Sequence, residues 1–113
     1  MTIAEENILL EILGKIELLE YIHTKYDYNE SEFIEDDRYE FEIGLILLEI
    51  GELMGKIDIK FKNKFGIKPF RENILQLEDY PEPEQIWEIA TTEIDLLKKE
   101  IIAYLKLDEF EIE

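Results

Sequence analysis

Apolar residues recur at helical intervals in three long runs of this chain, and polar breaks separate the runs. Between residues 4 and 26, Ile8, Ile12, Ile16, Leu19 and Ile22/His23 share one face, widened by Leu9 and Leu13, which predicts a first bundle helix. A second stripe, Tyr39, Ile43, Ile46, Ile50, Leu53/Met54 and Ile57 with Leu47 beside it, predicts a helix over 37–55. Asp37 followed by Glu40 gives it a capping-box start. The third stripe, at 86, 90, 94, 97, 101 and 105, predicts a helix over 84–106 opened by Pro83, a residue suited to a first turn.

The breaks carry shorter elements. Asp27 to Ser31 holds good capping residues, so Glu32 to Glu35 reads as a short turn of helix before the second long one. Phe61 and Phe65 at i, i+4 with Gly66 as a C-cap predict a short amphipathic helix over 57–65 with lysines on its outer face. Residues 71–83, with Pro81 and Pro83, read as a short helix or turn and then a stiff loop. The acidic-apolar tail after Leu107 is open to two readings, a frayed end or an addition to a neighbouring surface. The expected fold is therefore all-α, a single-domain antiparallel bundle of four to five helices over residues 1–113. Gly44, Gly51 and Gly55 each cost about 1 kcal/mol relative to Ala inside a helix, which points to close helix approach or to a subunit contact.

Composition narrows the chemistry. In 113 residues, 46% hydrophobic and 36% charged, with five Gly and three Pro, the chain has the make-up of a helical folded domain. With no cysteine it can form no disulfide, thiolate metal site or Cys nucleophile. No basic n-region or long apolar run marks a signal peptide or a membrane span, so a soluble cytoplasmic protein without membrane contact is expected. Twelve basic against 29 acidic residues give a net charge of −17, which repels a phosphate backbone and weighs against RNA binding. The exception is local: Lys56, Lys60, Lys62, Lys64, Lys68 and Arg71 gather six of the twelve basic residues in one segment. They either balance acidic neighbours or a partner's acidic surface, or form a patch facing RNA or nucleotide.

Other candidate chemistry is sparse. His23, the sole histidine, sits near the end of the first helix with no Asp, Cys or Ser close by in sequence, and reads as a surface or boundary residue where the helix dipole favours a cation. The acidic pairs Asp36/Asp37 and Glu78/Asp79 lack the ligand spacing of a cation loop and read as solvated surface. No phosphate loop, dinucleotide fingerprint, zinc-protease helix or serine elbow is present, and no metal or cofactor is expected.

Four segments, taken in order, resemble the HepT-like branch of the HEPN superfamily, the toxin half of HEPN/minimal-nucleotidyltransferase toxin–antitoxin pairs. They are Phe33-Ile34-Glu35-Asp36, Leu47-Leu48-Glu49-Ile50-Gly51-Glu52-Leu53, Pro69-Phe70-Arg71-Glu72-Asn73-Ile74 and the run from Glu84 to Lys98. The resemblance spans most of residues 8–105. It implies a helical homodimer that works with a nucleotidyltransferase partner and brings its two 70–83 segments to a shared groove, and it gives Glu52 a possible buried role, the alternative being a solvated helix edge.

The chain departs from the family at its ribonuclease motif, an Arg followed after four to six residues by a His, one further residue and a Tyr. No His follows His23; Glu78 stands at the His position, Tyr80 matches the Tyr, and Arg71 lies seven residues before Glu78. The expected function is thus a catalytically degenerate binding or regulatory module, with Tyr80 as the position that a partner would adenylylate. Two alternatives stand beside it. One is a ribonuclease toxin with a rearranged site built from Arg71, Glu78 and Tyr80. The other is an acidic structural or inhibitory protein that engages a basic partner.

Overall fold

The computed structural model describes residues 1–61 and 82–112, with side chains as far as Lys106. Helix α1 spans Ile3–Lys25, α2 Glu30–Glu35, α3 Asp37–Met54, α4 Pro83–Glu88 and α5 Ile94–Ile112, with a π-turn over Ile89–Glu93 joining the last two. No strand occurs among the described residues. The all-α fold predicted from the apolar spacing is what forms.

Each helix begins where local chemistry satisfies its free amides. A reciprocal box opens α1: Glu5 N–H donates to Thr2 Oγ1 (3.1 Å) and Thr2 N–H to Glu5 Oε1 (3.0 Å). Asn29 Oδ1 accepts from Glu32 N–H to start α2, and Asp36 Oδ1 accepts from the amides of Arg38 and Tyr39 to start α3. The cap of α3 is therefore Asp36, one residue before the expected Asp37, and the Asp36 carboxylate is committed to it. Pro83 occupies the first turn of α4, where its missing N–H costs nothing.

Helix α1 lies between α3 and α5, and α2 bridges α3 and α4. Ion pairs Lys15–Glu49 and Lys25–Glu42 run α1 and α3 antiparallel; Lys98–Glu20 (3.0 Å) ties α5 to α1. The core takes Leu9, Ile12, Ile16, Leu19 and Ile22 from α1, Tyr39, Ile43, Ile46, Leu47, Ile50 and Leu53 from α3, and Ile86, Ala90, Ile94, Leu97 and Ile101 from the C-terminal run. These are the predicted stripes. Burying a large aliphatic side chain contributes about 1.5–3 kcal/mol, so three such stripes dominate the stabilisation.

Four expectations change. Residues 57–61, expected to begin a helix, have no regular secondary structure; Ile57, Ile59 and Phe61 pack against the core while Lys56, Asp58 and Lys60 are exposed. Ile-Asp-Ile-Lys-Phe alternates with period two, the spacing of an extended segment with one face turned inward. The Tyr104 hydroxyl fastens the segment by donating to the Lys60 carbonyl. The rest of the expected 57–65 helix, and the loop over 71–81, lie outside the described residues. The C-terminal run, expected as one helix, contains the π-turn. Its backbone is helical as far as Ile112, beyond the expected end at 106. Last, the close helix approach inferred from glycine is not found at Gly44, where an added Cβ would meet no described residue outside its own helix turn within 4 Å; Gly51 is buried.

Candidate functional site

The described residues converge on His23. Contrary to the surface or boundary position expected for it, its side chain is 1% exposed. Its Nε2 lies 3.1 Å from the Ala90 carbonyl and its Nδ1 2.5 Å from the Tyr39 hydroxyl. A carbonyl oxygen can only accept, so Nε2 carries a proton; burial disfavours a second one on the ring, which leaves Nδ1 to accept from Tyr39 O–H. Both ring nitrogens are used, in one tautomer, by an uncharged imidazole.

The irregular features around this ring serve that arrangement. In an unbroken α-helix the Ile94 amide would bond the Ala90 carbonyl; across the π-turn it bonds the Ile89 and Thr91 carbonyls instead. The Ala90 carbonyl is thereby available to His23. At the other end, α1 closes with Tyr28 N–H donating to the His23 carbonyl (2.8 Å) and Asp27 N–H to the Thr24 carbonyl (3.0 Å), a Schellman pairing. Glycine would be the easy residue there. Asp27 and Tyr28 instead hold φ of 55° and 51°, which costs about 1–2 kcal/mol each, and the turn lays the Tyr28 ring on the imidazole at 4.8 Å. Trp87 of α4 meets the same imidazole edge-on at 5.3 Å. Tyr39 is stacked in turn on Tyr26 and met edge-on by Phe33, the only buried residue of α2. Every described helix except α5 thus places an aromatic or imidazole ring in one cluster.

Beside the ring opens a cleft of about 350 Å³ lined by Leu19, Glu20, His23, Tyr28, Thr91 and Asp95, among others. Burial pushes the His23 pKa below its ordinary value, against the Ala90 hydrogen bond and the charges of Asp95 and Glu20, which favour the cation. Burial also raises the phenols of Tyr39 and Tyr28, and its hydrogen bond to Glu20 raises the Lys98 ammonium. At neutral pH the inner groups are therefore neutral, and the cleft's charges are the carboxylates of Glu20 and Asp95 beside Lys98. The arrangement fixes a shape. Neither imidazole nitrogen is free to take a proton from a substrate.

The residues singled out from sequence fare differently. Lys56 and Lys60 are exposed, on the segment that leaves α3. Lys62, Lys64, Lys68, Arg71, Glu78 and Tyr80 lie outside the described residues, as does the Glu78/Asp79 pair. Glu52 is exposed, in keeping with the solvated-edge reading. Among the described residues no three His, Asp or Glu side chains group closely enough to hold a metal ion, and no helix is long and apolar enough to cross a membrane. His23 was misplaced because its partners lie 16 and 67 residues away in the chain. Its place in the α1 stripe beside Ile22 was the available signal.

Set against known proteins, the chain matches no family model, no curated protein and no solved structure.

Proposed function

We propose that this chain is a catalytically degenerate, HepT-like binding module that acts in the cytoplasm as a homodimer and engages a minimal nucleotidyltransferase. The observation that carries the non-catalytic part is the state of the only histidine: His23 is buried, neutral and occupied at both nitrogens. Transfer of the ribose hydroxyl proton in RNA cleavage calls for a group that can both reach the substrate and change its protonation near neutral pH. His23 does neither. The identity of the partner rests on the sequence resemblance alone, and under it Tyr80 is the position such a partner would adenylylate.

A second reading is an acidic protein that captures a basic partner. The net charge of −17 favours it, as do the outward apolar residues of α1 and α3, Tyr21 at 61% and Phe41 at 65% exposure. Both readings are of a binding protein, and they differ in what is bound.

The test is incubation of the purified chain with a mixed RNA pool that includes transfer RNA, without added metal, beside an Arg71→Ala/Tyr80→Phe double variant. No cleavage at micromolar protein is expected from either. Cleavage by the natural chain that the double variant loses would overturn the binding reading in favour of a ribonuclease with a rearranged site at Arg71, Glu78 and Tyr80.

A further inference from the structure

Helix α1 has two apolar faces. Leu9, Ile12, Ile16 and Leu19 enter the core. Ile3, Leu10, Gly14, Leu18 and Tyr21 follow one another at steps of 7, 4, 4 and 3, a second helical stripe on the opposite side, and its four large members are 47–79% exposed. Helix α3 repeats the pattern with Phe41 and Leu45, 65% and 44% exposed, and the half-buried Leu48. The ion pairs Lys15–Glu49 and Lys25–Glu42 fix the register of the two helices, setting Leu18 and Tyr21 level with the stretch from Gly44 to Leu48. The two outer stripes therefore border one another. Their glycines lie within the surface: a Cβ added at Gly14 or Gly44 would meet no described residue outside its own helix turn within 4 Å. Nothing in the described fold requires a glycine at either place, and each leaves a hollow into which another chain can settle.

Charge selects what settles there. Glu11 and Glu17 flank the α1 stripe, and Asp37, Arg38 and Glu52 lie along that of α3, all five exposed, so that four carboxylates stand against one guanidinium. The two lysines of α1 are already turned to Glu49 and Glu42 of α3. A second copy would bring the same carboxylates, and its own share of a net charge of −17, against this face. A helix with an apolar stripe edged by Lys and Arg would meet apolar surface with apolar surface and carboxylate with cation.

We propose that the outer face of α1 and α3 is a docking surface for a basic amphipathic helix of a partner protein. The proposal deepens the binding-module reading and rests on it.

The probe is a fluorescein-labelled leucine–lysine peptide with leucines at i, i+3, i+4 and i+7, read by fluorescence anisotropy against the full chain. Its control has the same composition scrambled so that the leucines share no face. The amphipathic peptide is expected to bind at least about tenfold more tightly than the scrambled one. A Phe41→Ser/Leu45→Ser variant should lose at least about tenfold, and so should Gly14→Leu/Gly44→Leu, which fills the hollows. These positions are at the surface, and circular dichroism with Trp87 fluorescence confirms that each variant is folded. Equal binding of the two peptides would reduce the interaction to charge and overturn the proposal. Unchanged affinity in both folded variants would also overturn it. So would sedimentation of the natural chain as a dimer that Phe41→Ser/Leu45→Ser separates, since the face would then belong to a second copy. RNA cleavage in the earlier test would remove the underlying reading whatever the peptides do.

Discussion

Tyr39 shows how a single hydroxyl sets the state of the site. Its O–H donates to His23 Nδ1, and its ring is stacked on Tyr26 and met edge-on by Phe33. Tyr39→Phe leaves that nitrogen buried and unpaired, which should cost about 1–3 kcal/mol and appear as a lower urea midpoint at pH 8 with an unchanged m-value. Protonation of His23 has a definite sign. Its folded pKa lies below its unfolded one, so in acid the unfolded chain binds the additional proton. The stability that comes from keeping the imidazole neutral is fully present above the unfolded pKa, about 6.5, and is lost as pH falls from there through the folded pKa, by at most about 1.4 kcal/mol per pH unit. A His23→Gln variant lacks this component while sharing the acidic surface. The difference in unfolding free energy between natural chain and variant should thus be constant from pH 8 to 7 and shrink below 6.5. A difference that widens in acid would mean that the folded state favours the charged ring.

At the scale of elements, the π-turn is the feature whose cause is most visible in the chain. From Ile86 to Leu105 the C-terminal stripe advances by 4, 4, 3, 4 and 4, so five turns consume 19 residues, about 3.8 a turn against the 3.6 of an α-helix. One inserted residue absorbs the excess. The stripes of all three long helices were legible, whereas taking 84–106 as one helix passes over that surplus, and α2 starts at Glu30 under Asn29, two residues before the expected Glu32. The Thr2–Glu5 capping box starts α1 at Ile3, one residue before the expected position 4. What could not be read was which tertiary partner each irregularity serves: that the π-turn releases a carbonyl to His23, and that the left-handed pair Asp27–Tyr28 aims a ring at the same imidazole. Such pairings depend on contacts distant in sequence, whereas periodicity reports only the side of each helix that is buried. Deleting the exposed Thr92 should restore a stripe of 3.6 residues a turn and an unbroken helix, keeping the far-ultraviolet circular dichroism while returning the Ala90 carbonyl to its own helix. Stability should fall by about 1–3 kcal/mol; an unaltered midpoint would show that the π-turn is indifferent to His23.

For the molecule as a whole, packing is concentrated at one buried ring cluster, away from the exposed apolar residues of α1 and α3. Helices α1, α3 and α4 and the π-turn meet at one imidazole, α2 joining through Phe33 against Tyr39 and Trp87, while α1 and α3 keep an apolar outer face on a chain of net charge −17. A chain organised in this way spends its only histidine on architecture. Nitrogen-15 magnetic resonance of the imidazole, with hydrogen exchange at Nε2, tests that central claim most directly. The account predicts the Nε2–H tautomer, a titration midpoint below 6.5, and an Nε2 proton that exchanges only when the whole domain unfolds. A ring that titrates at or above 6.5, with a proton exchanging as freely as in an open peptide, would contradict it and return His23 to the candidates for chemistry.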